Sequence, residues 1–150
     1  MHGVRALVVS YLKGTPYAVS GGEDASVKTW DLAKELEARS TTLKLPPTGD
    51  VRKDWIRWVG FLDKTPTVRV VSNFGRIYTC EGSKVKFECE VEGAPVVVAA
   101  LSKSFLWLGL VSGGVIVADR HALREQHAFQ RVIMQQPSSI FTDTYDDKCS

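Results

Sequence analysis

The side chains suited to acid–base, nucleophilic or metal chemistry are scattered through this chain. The histidines are His2, His121 and His127, and none has cysteines or carboxylates at the spacing of a metal-binding motif. The sequence contains no G-x-S-x-G elbow, P-loop or G-x-G-x-x-G segment. It therefore predicts no catalytic residue, cofactor or metal site, and we do not expect the chain to be an enzyme.

Two segments contain acidic residues that merit closer inspection. Gly21 to Asp24 places two glycines before two acids, the composition of a turn that cradles phosphate and binds metal. That chemistry needs a surrounding α/β domain, whereas the flanking apolar runs predict β-strands, which favours a structural turn. The acidic residues of Asp143 to Asp147 lack the spacing of an EF-hand loop and are expected to be solvated.

A basic and aromatic segment, Asp50 to Trp58, is the strongest candidate for a binding site. Tryptophan and arginine are the favoured anchors of protein interfaces, and they also bind RNA by stacking and phosphate contact. The alternative is that Trp58 is packed in the core and the charged residues only face solvent. The candidate partner-binding residues are Arg52, Lys53, Trp55 and Arg57.

Composition and charge indicate an ordinary globular chain. Of its 150 residues 44% are hydrophobic and 24% are charged, and the net charge of +2 is too small to indicate nucleic acid or an anionic membrane. The longest apolar run, Phe105 to Val111, is far shorter than the roughly 20 residues of a membrane span, and the N-terminus does not resemble a signal peptide. We therefore expect an intracellular protein, cytoplasmic or nuclear, without a membrane partner.

The cysteine count agrees with a reducing compartment. Three cysteines, Cys80, Cys89 and Cys149, are an odd number without a framework spacing. If the segment around Glu81 to Lys84 forms a hairpin turn, Cys80 pairs near Val85 and Cys89 near Arg76. Free thiols are therefore expected.

An internal repeat organises these residues. Apolar, strand-like segments begin at Val4, Ile56 and Val96, and each is followed after 16 positions by the serine that ends a second apolar run: Ser20, Ser72 and Ser112. A third strand and a more polar fourth strand follow each serine. The unit is thus four antiparallel strands, repeated after 52 and then 40 positions, with a loop insertion at Pro46 to Asp54.

Four-stranded units of about 40 residues predict the blades of a β-propeller. The predicted fold class is all-β, a partial propeller of about three four-stranded antiparallel blades. The blades occupy residues 1–134, approximately 1–45, 55–91 and 95–134, and residues 135–150 form a polar tail or the start of a further blade. Because propellers typically need about 4–8 blades, we expect further blades from the rest of a parent chain or from a partner chain.

The first unit resembles a WD repeat. The resemblance rests on an apolar first strand, Val19 to Gly22, the acidic turn Glu23-Asp24 and a third strand that ends in Trp30-Asp31. It implies a hydrogen-bond network within the blade that includes Ser20, Asp24 and Trp30, and His2 is the candidate for its histidine. The later units have Cys80-Glu81 and Ala118-Asp119 in place of Trp-Asp.

The resemblance implies two classes of function. The first is a non-catalytic scaffold that binds other proteins within a larger complex, because rigid blades present loops on a broad face. The alternative is an RNA-associated auxiliary subunit of a tRNA-modification complex, similar to the WD-repeat partners of tRNA-modifying methyltransferases. A basic stripe through Arg52, Lys53 and Arg57 would favour RNA, whereas an apolar patch would favour a protein partner.

Overall fold

The computed structural model of this chain describes residues 3–34, 40–45, 53–64, 66–92, 95–121 and 129–133. Within these residues, the regular secondary structure consists of β-strands only. The strands form three four-stranded antiparallel sheets, and in each sheet neighbouring strands follow one another in the chain. The first sheet contains β1 (Val4–Leu12), β2 (Thr15–Gly22), β3 (Ser26–Asp31) and β4 (Ser40–Lys44). The second contains β5 (Ile56–Phe61), β6 (Val68–Ser72), β7 (Arg76–Glu81) and β8 (Lys84–Glu90). The third contains β9 (Val96–Leu101), β10 (Phe105–Leu110), β11 (Gly114–Asp119) and β12 (Phe129–Ile133).

The turn between β1 and β2 illustrates how the sequence determines these hairpins. Leu12 pairs with Thr15, which leaves the two-residue loop Lys13-Gly14. Both loop residues have a positive φ, 51° and 81°, as the primed turns that match the twist of paired strands require. Glycine adopts this conformation without a steric penalty, so the hairpin closes at this point.

Two apolar layers hold the sheets together. Val19, Val27, Val59 and Val70 are among the buried residues of the layer between the first and second sheets. The second layer, between the second and third sheets, includes Val71, Ile77, Leu106 and Leu108. Along β6, successive side chains contribute to opposite layers, and all five residues of this strand are buried. The middle sheet is therefore covered on both faces.

The first strands of the three sheets lie next to one another. β1 contacts β5, and β5 contacts β9, so the sheets converge on their first strands like the blades of a fan. This arrangement confirms the predicted fold class: the chain is a partial β-propeller of three four-stranded antiparallel blades. No described helix is long and apolar enough to cross a membrane.

The hairpin of β7 and β8 differs from the prediction by one residue. Cys80 pairs with Val85 as expected, but Cys89 lies opposite Ile77 and not opposite Arg76. An irregularity between Ile77 and Tyr78 shifts the register there, which a count from the turn does not anticipate. Both thiols are free, as predicted.

Several sequence predictions concern residues outside the described ranges. They include the residues of the loop insertion before position 53, the polar segment 135–150 and Cys149. At the end of the first blade's third strand, the chain leaves β3 at Asp31 and turns through residues 32–34. Residues 35–39 are likewise not described.

Candidate partner-binding site

Trp55 lies where the chain enters the second blade, and its backbone is held on both sides. Its N–H donates to Asp54 Oδ1 at 2.9 Å, and its carbonyl oxygen accepts a hydrogen bond from the Asn73 N–H at 2.8 Å. The second bond joins the segment before β5 to the β6–β7 turn. The position of Trp55 is therefore determined by the sheet itself.

Phe74 from this turn and Arg57 from β5 lie against the Trp55 ring. The Phe74 ring lies 6.4 Å away, centroid to centroid, at a tilted angle of 52°. The Arg57 guanidinium carbon lies 5.7 Å from the Trp55 ring centroid, and Arg57 Nη2 donates to Asn73 Oδ1 at 2.8 Å. We call these four residues, Trp55, Arg57, Asn73 and Phe74, the Trp55 cluster. Because Trp55 and Phe74 are only half-buried, the cluster presents an aromatic surface to solvent.

A largely buried ion pair between Asp54 and Arg76 lies next to the Trp55 cluster and holds its backbone. Asp54 Oδ2 lies 3.2 Å from Arg76 Nη1, and about nine-tenths of each side chain is covered. Asp54 Oδ1 also accepts the Phe74 N–H at 3.2 Å. Arg76 has a second, exposed partner in Glu90 at 3.5 Å. One carboxylate thus satisfies backbone donors on both sides of the cluster and neutralises a cation whose desolvation would otherwise be costly.

The first blade uses a different carboxylate for the same task. In its β2–β3 turn, Asp24 Oδ1 accepts hydrogen bonds from the Ser26 N–H at 3.2 Å and the Ser26 hydroxyl at 2.6 Å. The carboxylate that binds the turn belongs to the turn itself in the first blade. In the second blade it comes from the segment before the first strand.

The three residues implied by the WD-repeat resemblance all lie in the first blade, Ser20 in β2, Trp30 in β3 and Asp24 in the turn between these strands. Ser20 pairs across the sheet with Lys28, and Trp30 pairs with Ala18, so alternation places both side chains on the same sheet face. Ser20 is buried, whereas Trp30 is half-buried. Asp24 accepts hydrogen bonds from Ser26, and His2 lies outside the described residues. A shared network of Ser20, Asp24 and Trp30 stays a prediction.

Opposite charges are paired around this end of the molecule. Arg5 of β1 forms an ion pair with Glu23 of the β2–β3 turn. Arg5, by its hydrogen bond and its charge, and more weakly Lys53, lowers the pKa of the Glu23 carboxyl. The exposed Lys53 therefore lies within electrostatic reach of the first blade's turn. Basic and acidic side chains are therefore interspersed on this surface of the molecule.

A cavity of about 580 Å³ opens beside the cluster, between β1 and β5. Three arginines line it: Arg5, Arg57 and Arg120. Each is already engaged, Arg5 by Glu23, Arg57 by Asn73, and Arg120 by the carbonyl oxygens of Leu62 and Ser102. Arg120 thus connects the β5–β6 and β9–β10 turns and fixes the third blade against the second.

Of the four residues predicted from the sequence, the structure brings Trp55 and Arg57 into contact. Lys53 lies two residues before Trp55 with an exposed side chain, and Arg52 lies outside the described residues. Trp58 packs against the apolar layer between the second and third blades, which is the alternative considered for it. Sequence reasoning missed Asn73 and Phe74, since both reach Trp55 across a turn.

The ion pair of Asp54 and Arg76 was also missed, although the repeat contained a signal for it. Asp54 stands 52 positions after His2, at the same offset that separates Ile56 from Val4. An acid therefore occupies the repeat position at which the first blade has its candidate histidine. This equivalence predicts that position 54 faces the following turn.

Potential metal-ligating side chains do not cluster in the described part of the chain. It contains no cluster of three or more His, Cys, Asp and Glu side chains that could hold a metal ion. His121 Nε2 lies 3.0 Å from Asp63 Oδ1, and both side chains are about half exposed. This pair links the second and third blades at the surface.

Comparison with known proteins gives structural neighbours only. No protein-family model matches the sequence, and no curated protein matches it. Among solved structures, the chain is similar to the computationally designed Ika8 protein, with a TM-score of 0.59 and 20% identity over 89% of this chain and 38% of that one. It is also similar to Raptor from Chaetomium thermophilum, with a TM-score of 0.63 and 16% identity over 91% of this chain and 12% of that one.

A third neighbour, the computationally designed Ika4 protein, has a TM-score of 0.54 and 21% identity over 78% of this chain and 66% of that one. The chain spans less than two fifths of Ika8 and about an eighth of Raptor. At these identities the likeness concerns the fold alone.

Proposed function

We propose that this chain is a non-catalytic scaffold module that binds another protein through the Trp55 cluster. The observation that carries the proposal is the half-exposed Trp55 ring, held by two backbone hydrogen bonds and flanked by Arg57 and Phe74. Tryptophan and arginine dominate the energetics of protein interfaces when they lie in an ordered patch. Here both are ordered before any partner arrives.

Preorganisation is the physical reason why this cluster suits binding. Immobilising a flexible side chain on association costs about 0.5–1.5 kcal/mol, and Arg57 is already restrained by Asn73 Oδ1 and the Trp55 ring. The Trp55 backbone is fixed by bonds to Asp54 and Asn73. A partner that covers this surface therefore loses little free energy to ordering it.

The second candidate is an RNA-associated auxiliary subunit of a tRNA-modification complex. It is favoured by the exposed Lys53 beside a half-exposed aromatic ring, an arrangement that can contact phosphate and stack a base. Against it, the cations near the cluster are engaged by acids or amides: Arg5 by Glu23, Arg57 by Asn73 and Arg76 by Asp54. This pairing supports a protein partner over RNA.

A capture experiment with matched variants tests the proposal. The chain, Trp55→Ala and Phe87→Ala are immobilised, and proteins retained from RNase-treated extract are quantified by mass spectrometry. Phe87 is the control because it is a half-exposed aromatic on β8, away from the cluster. A partner should be lost with Trp55→Ala and retained with Phe87→Ala, with an affinity about tenfold or more weaker for a hot-spot residue.

The same variants distinguish RNA from protein. Titration with a single-stranded RNA oligonucleotide at several salt concentrations gives the number of phosphate contacts from the slope of log affinity against log salt. Weak binding that Lys53→Ala and Trp55→Ala leave unchanged is the expected result. If both substitutions abolish tight, steeply salt-dependent RNA binding, the RNA-associated function replaces the scaffold.

A further inference from the structure

Two sheet faces at opposite ends of the fan are apolar and uncovered. In each blade, we call the face turned toward the next blade in the chain the front face, and the opposite face the rear face. The rear face of the first blade carries Leu7, Val9 and Tyr11 of β1, which are 66%, 55% and 74% exposed. The front face of the third blade carries Val98, Phe105 and Trp107, between 42% and 61% exposed. Apolar patches of this kind in a monomer mark surfaces that another molecule covers.

The two open faces are the two halves of an interface that the chain already makes twice. Between the first and second blades, a front face with Val8, Val19 and Val27 packs against a rear face with Val59 and Val70. Between the second and third blades, a front face with Val71 and Ile77 packs against a rear face with Leu106 and Leu108. Among the described residues, no rear face covers the front of the third blade, and no front face covers the rear of the first blade.

Matching of small and large residues extends this equivalence to single positions. Gly21, on the front face of the first blade, leaves room for Ile56 of the second: a Cβ at Gly21 would lie within 2.9 Å of the Ile56 Cβ. The strand pairings place Gly109 of β10 where the first blade has Gly21, because Gly21 lies opposite Ala6 and Gly109 lies opposite Val98. They also place Val4 where the second blade has Ile56. Val4 is exposed and Gly109 is half-buried in the single chain, so the open faces offer the same glycine and β-branched pair.

The backbone provides a second matched contact. At the junction of the second and third blades, the Val96 N–H donates to the Asn73 carbonyl oxygen at 2.8 Å. Val96 corresponds to Val4, since each opens the first strand of its blade. Asn73 corresponds to Val111, because their N–H groups make equivalent bonds to the carbonyl oxygens of Trp55 and Pro95. The equivalent bond across the open faces would run from the Val4 N–H to the Val111 carbonyl oxygen.

We propose that two copies of this chain associate head to tail, each front face of a third blade covering the rear face of the other copy's first blade. Both contacts then repeat the internal blade–blade interface, and the assembly closes as a ring of six blades. Propellers typically contain about 4–8 blades. Two copies of three blades fall within this range, whereas three copies exceed it. A rotation that closes is also the condition under which head-to-tail contacts form a ring and not a filament.

A symmetric pairing of like faces does not reproduce these features. Rear face against rear face would place Leu7, Val9 and Tyr11 of one copy against the same residues of the other. Gly109 would then face no β-branched residue of the other copy. The proposed association uses both faces at once, and it is independent of the function assigned to the Trp55 cluster.

The first test is the mass of the 150-residue chain in solution. Sedimentation equilibrium and native mass spectrometry at micromolar concentration should give twice the mass of the chain, without larger open chains. A single-chain mass under these conditions overturns the proposal. A mass of three chains overturns the six-bladed ring.

The second test shows which faces meet. Val9→Lys disables the rear face and Trp107→Lys disables the front face, and each substitution places the charge at a position that is about half exposed in the single chain. Each variant alone should lose the closed dimer. An equimolar mixture should recover a dimer of one copy of each, because the intact front face of the first variant meets the intact rear face of the second.

Controls separate this outcome from misfolding and from symmetric pairing. Phe87→Lys, at a half-exposed residue of β8, should remain a dimer, and all variants should keep the β-sheet circular dichroism of the parent. If Trp107→Lys remains a full dimer while Val9→Lys is a monomer, the pairing is rear to rear and the head-to-tail arrangement is wrong. Absence of the mixed dimer, with both variants folded, likewise overturns it.

Discussion

Asp54 is the residue on which the surface around Trp55 depends most. Its two oxygens bind the N–H groups of Trp55 and Phe74 and the guanidinium of Arg76. Because Asp54 and Arg76 are both largely covered, removing the carboxylate leaves a desolvated cation and two donors without their acceptor. The other acidic partner of Arg76, Glu90, has a side chain that is 54% exposed, so solvent weakens its interaction with the guanidinium and it does not replace Asp54.

Asp54→Ala should therefore lower the free energy of unfolding by about 1–3 kcal/mol, in the range observed for a buried group left unsatisfied. Glu90→Ala is the matched control, because it removes the other acidic partner of Arg76 at a half-exposed site and should change stability by less than about 1 kcal/mol. Urea denaturation followed by tryptophan fluorescence measures both. Equal shifts for the two variants would contradict the role assigned to Asp54.

The two described cysteines differ from ordinary surface thiols through burial. Burial raises the pKa of Cys80 to about 11 and, with a smaller opposing effect from Arg69, that of Cys89 to about 11. Because the folded state favours the protonated thiols, their contribution to stability is complete below the unfolded pKa. It is lost as pH rises from about 9 to about 11.

This shift predicts slow thiol chemistry in the folded protein. Since the thiolate is the reactive form, maleimide or disulfide reagents at mildly alkaline pH should label Cys80 and Cys89 roughly a hundredfold more slowly in the folded than in the unfolded chain. Peptide mapping after timed labelling follows each site separately. Rates that match those of the unfolded chain would show that the hairpin of β7 and β8 is open in solution.

At the scale of strands and sheets, the contact between blades depends on glycine where two sheets approach closely. Gly21 in β2 faces Ile56 in β5, and Val59 lies next to it. Both neighbours belong to the apolar layer that joins the first and second blades. A side chain at position 21 therefore acts on the separation of two sheets and not on one hairpin.

Gly21→Ala should destabilise the chain by about 1–3 kcal/mol, the usual effect of overpacking. Combining it with Ile56→Ala should recover part of that loss, because the smaller residue vacates the space that the new methyl group needs. A double-mutant cycle in urea measures the coupling, which we expect to be at least about 0.5 kcal/mol for residues in contact. Strict additivity would mean that the two sheets do not meet at this point.

The sequence predicts the strands and their order because the repeat is carried by equally spaced residues. Ser20, Ser72 and Ser112 stand 16 positions after the start of each unit, and this spacing is close enough to the strand lengths to indicate all twelve strands in order. The exact register is wrong for Ser20 and Ser112, because Val4 and Val96 pair with Gly22 and Leu110, whereas Ile56 pairs with Ser72. What it does not predict depends on irregular backbone or on contacts across turns. The irregular pairing between Ile77 and Tyr78 moves Cys89 by one residue, and Phe74 reaches Trp55 from 19 positions away.

At the scale of the whole molecule, the arrangement of the blades determines which surfaces are covered. The middle blade is buried on both faces, whereas the first and third blades each keep one open apolar face. The head-to-tail dimer covers both of these faces, while the Trp55 cluster lies at the loop end of the second blade. Assembly and partner binding therefore use different surfaces of the same three blades.

This arrangement predicts that thermal stability depends on protein concentration. A dimer dissociates on unfolding, so mass action raises the unfolding temperature as concentration increases. Calorimetry over a hundredfold range of concentration should show a steady rise for the parent chain and for Phe87→Lys. Val9→Lys should unfold at a lower temperature that does not change with concentration.

The different positions of Asp24 and Asp54 relative to the turns they bind have a kinetic consequence. Asp24 and Ser26 are two residues apart, so this bond can form as soon as a short segment turns. Asp54 must meet Phe74 and Arg76 across 20 and 22 residues, and these contacts form after β5 and β6 have paired. Such non-local contacts slow folding because a longer loop has to close first. The first blade can thus nucleate from a local turn, whereas the corner of the second blade closes late. An Asp24 substitution should slow refolding, and an Asp54 substitution should mainly accelerate unfolding.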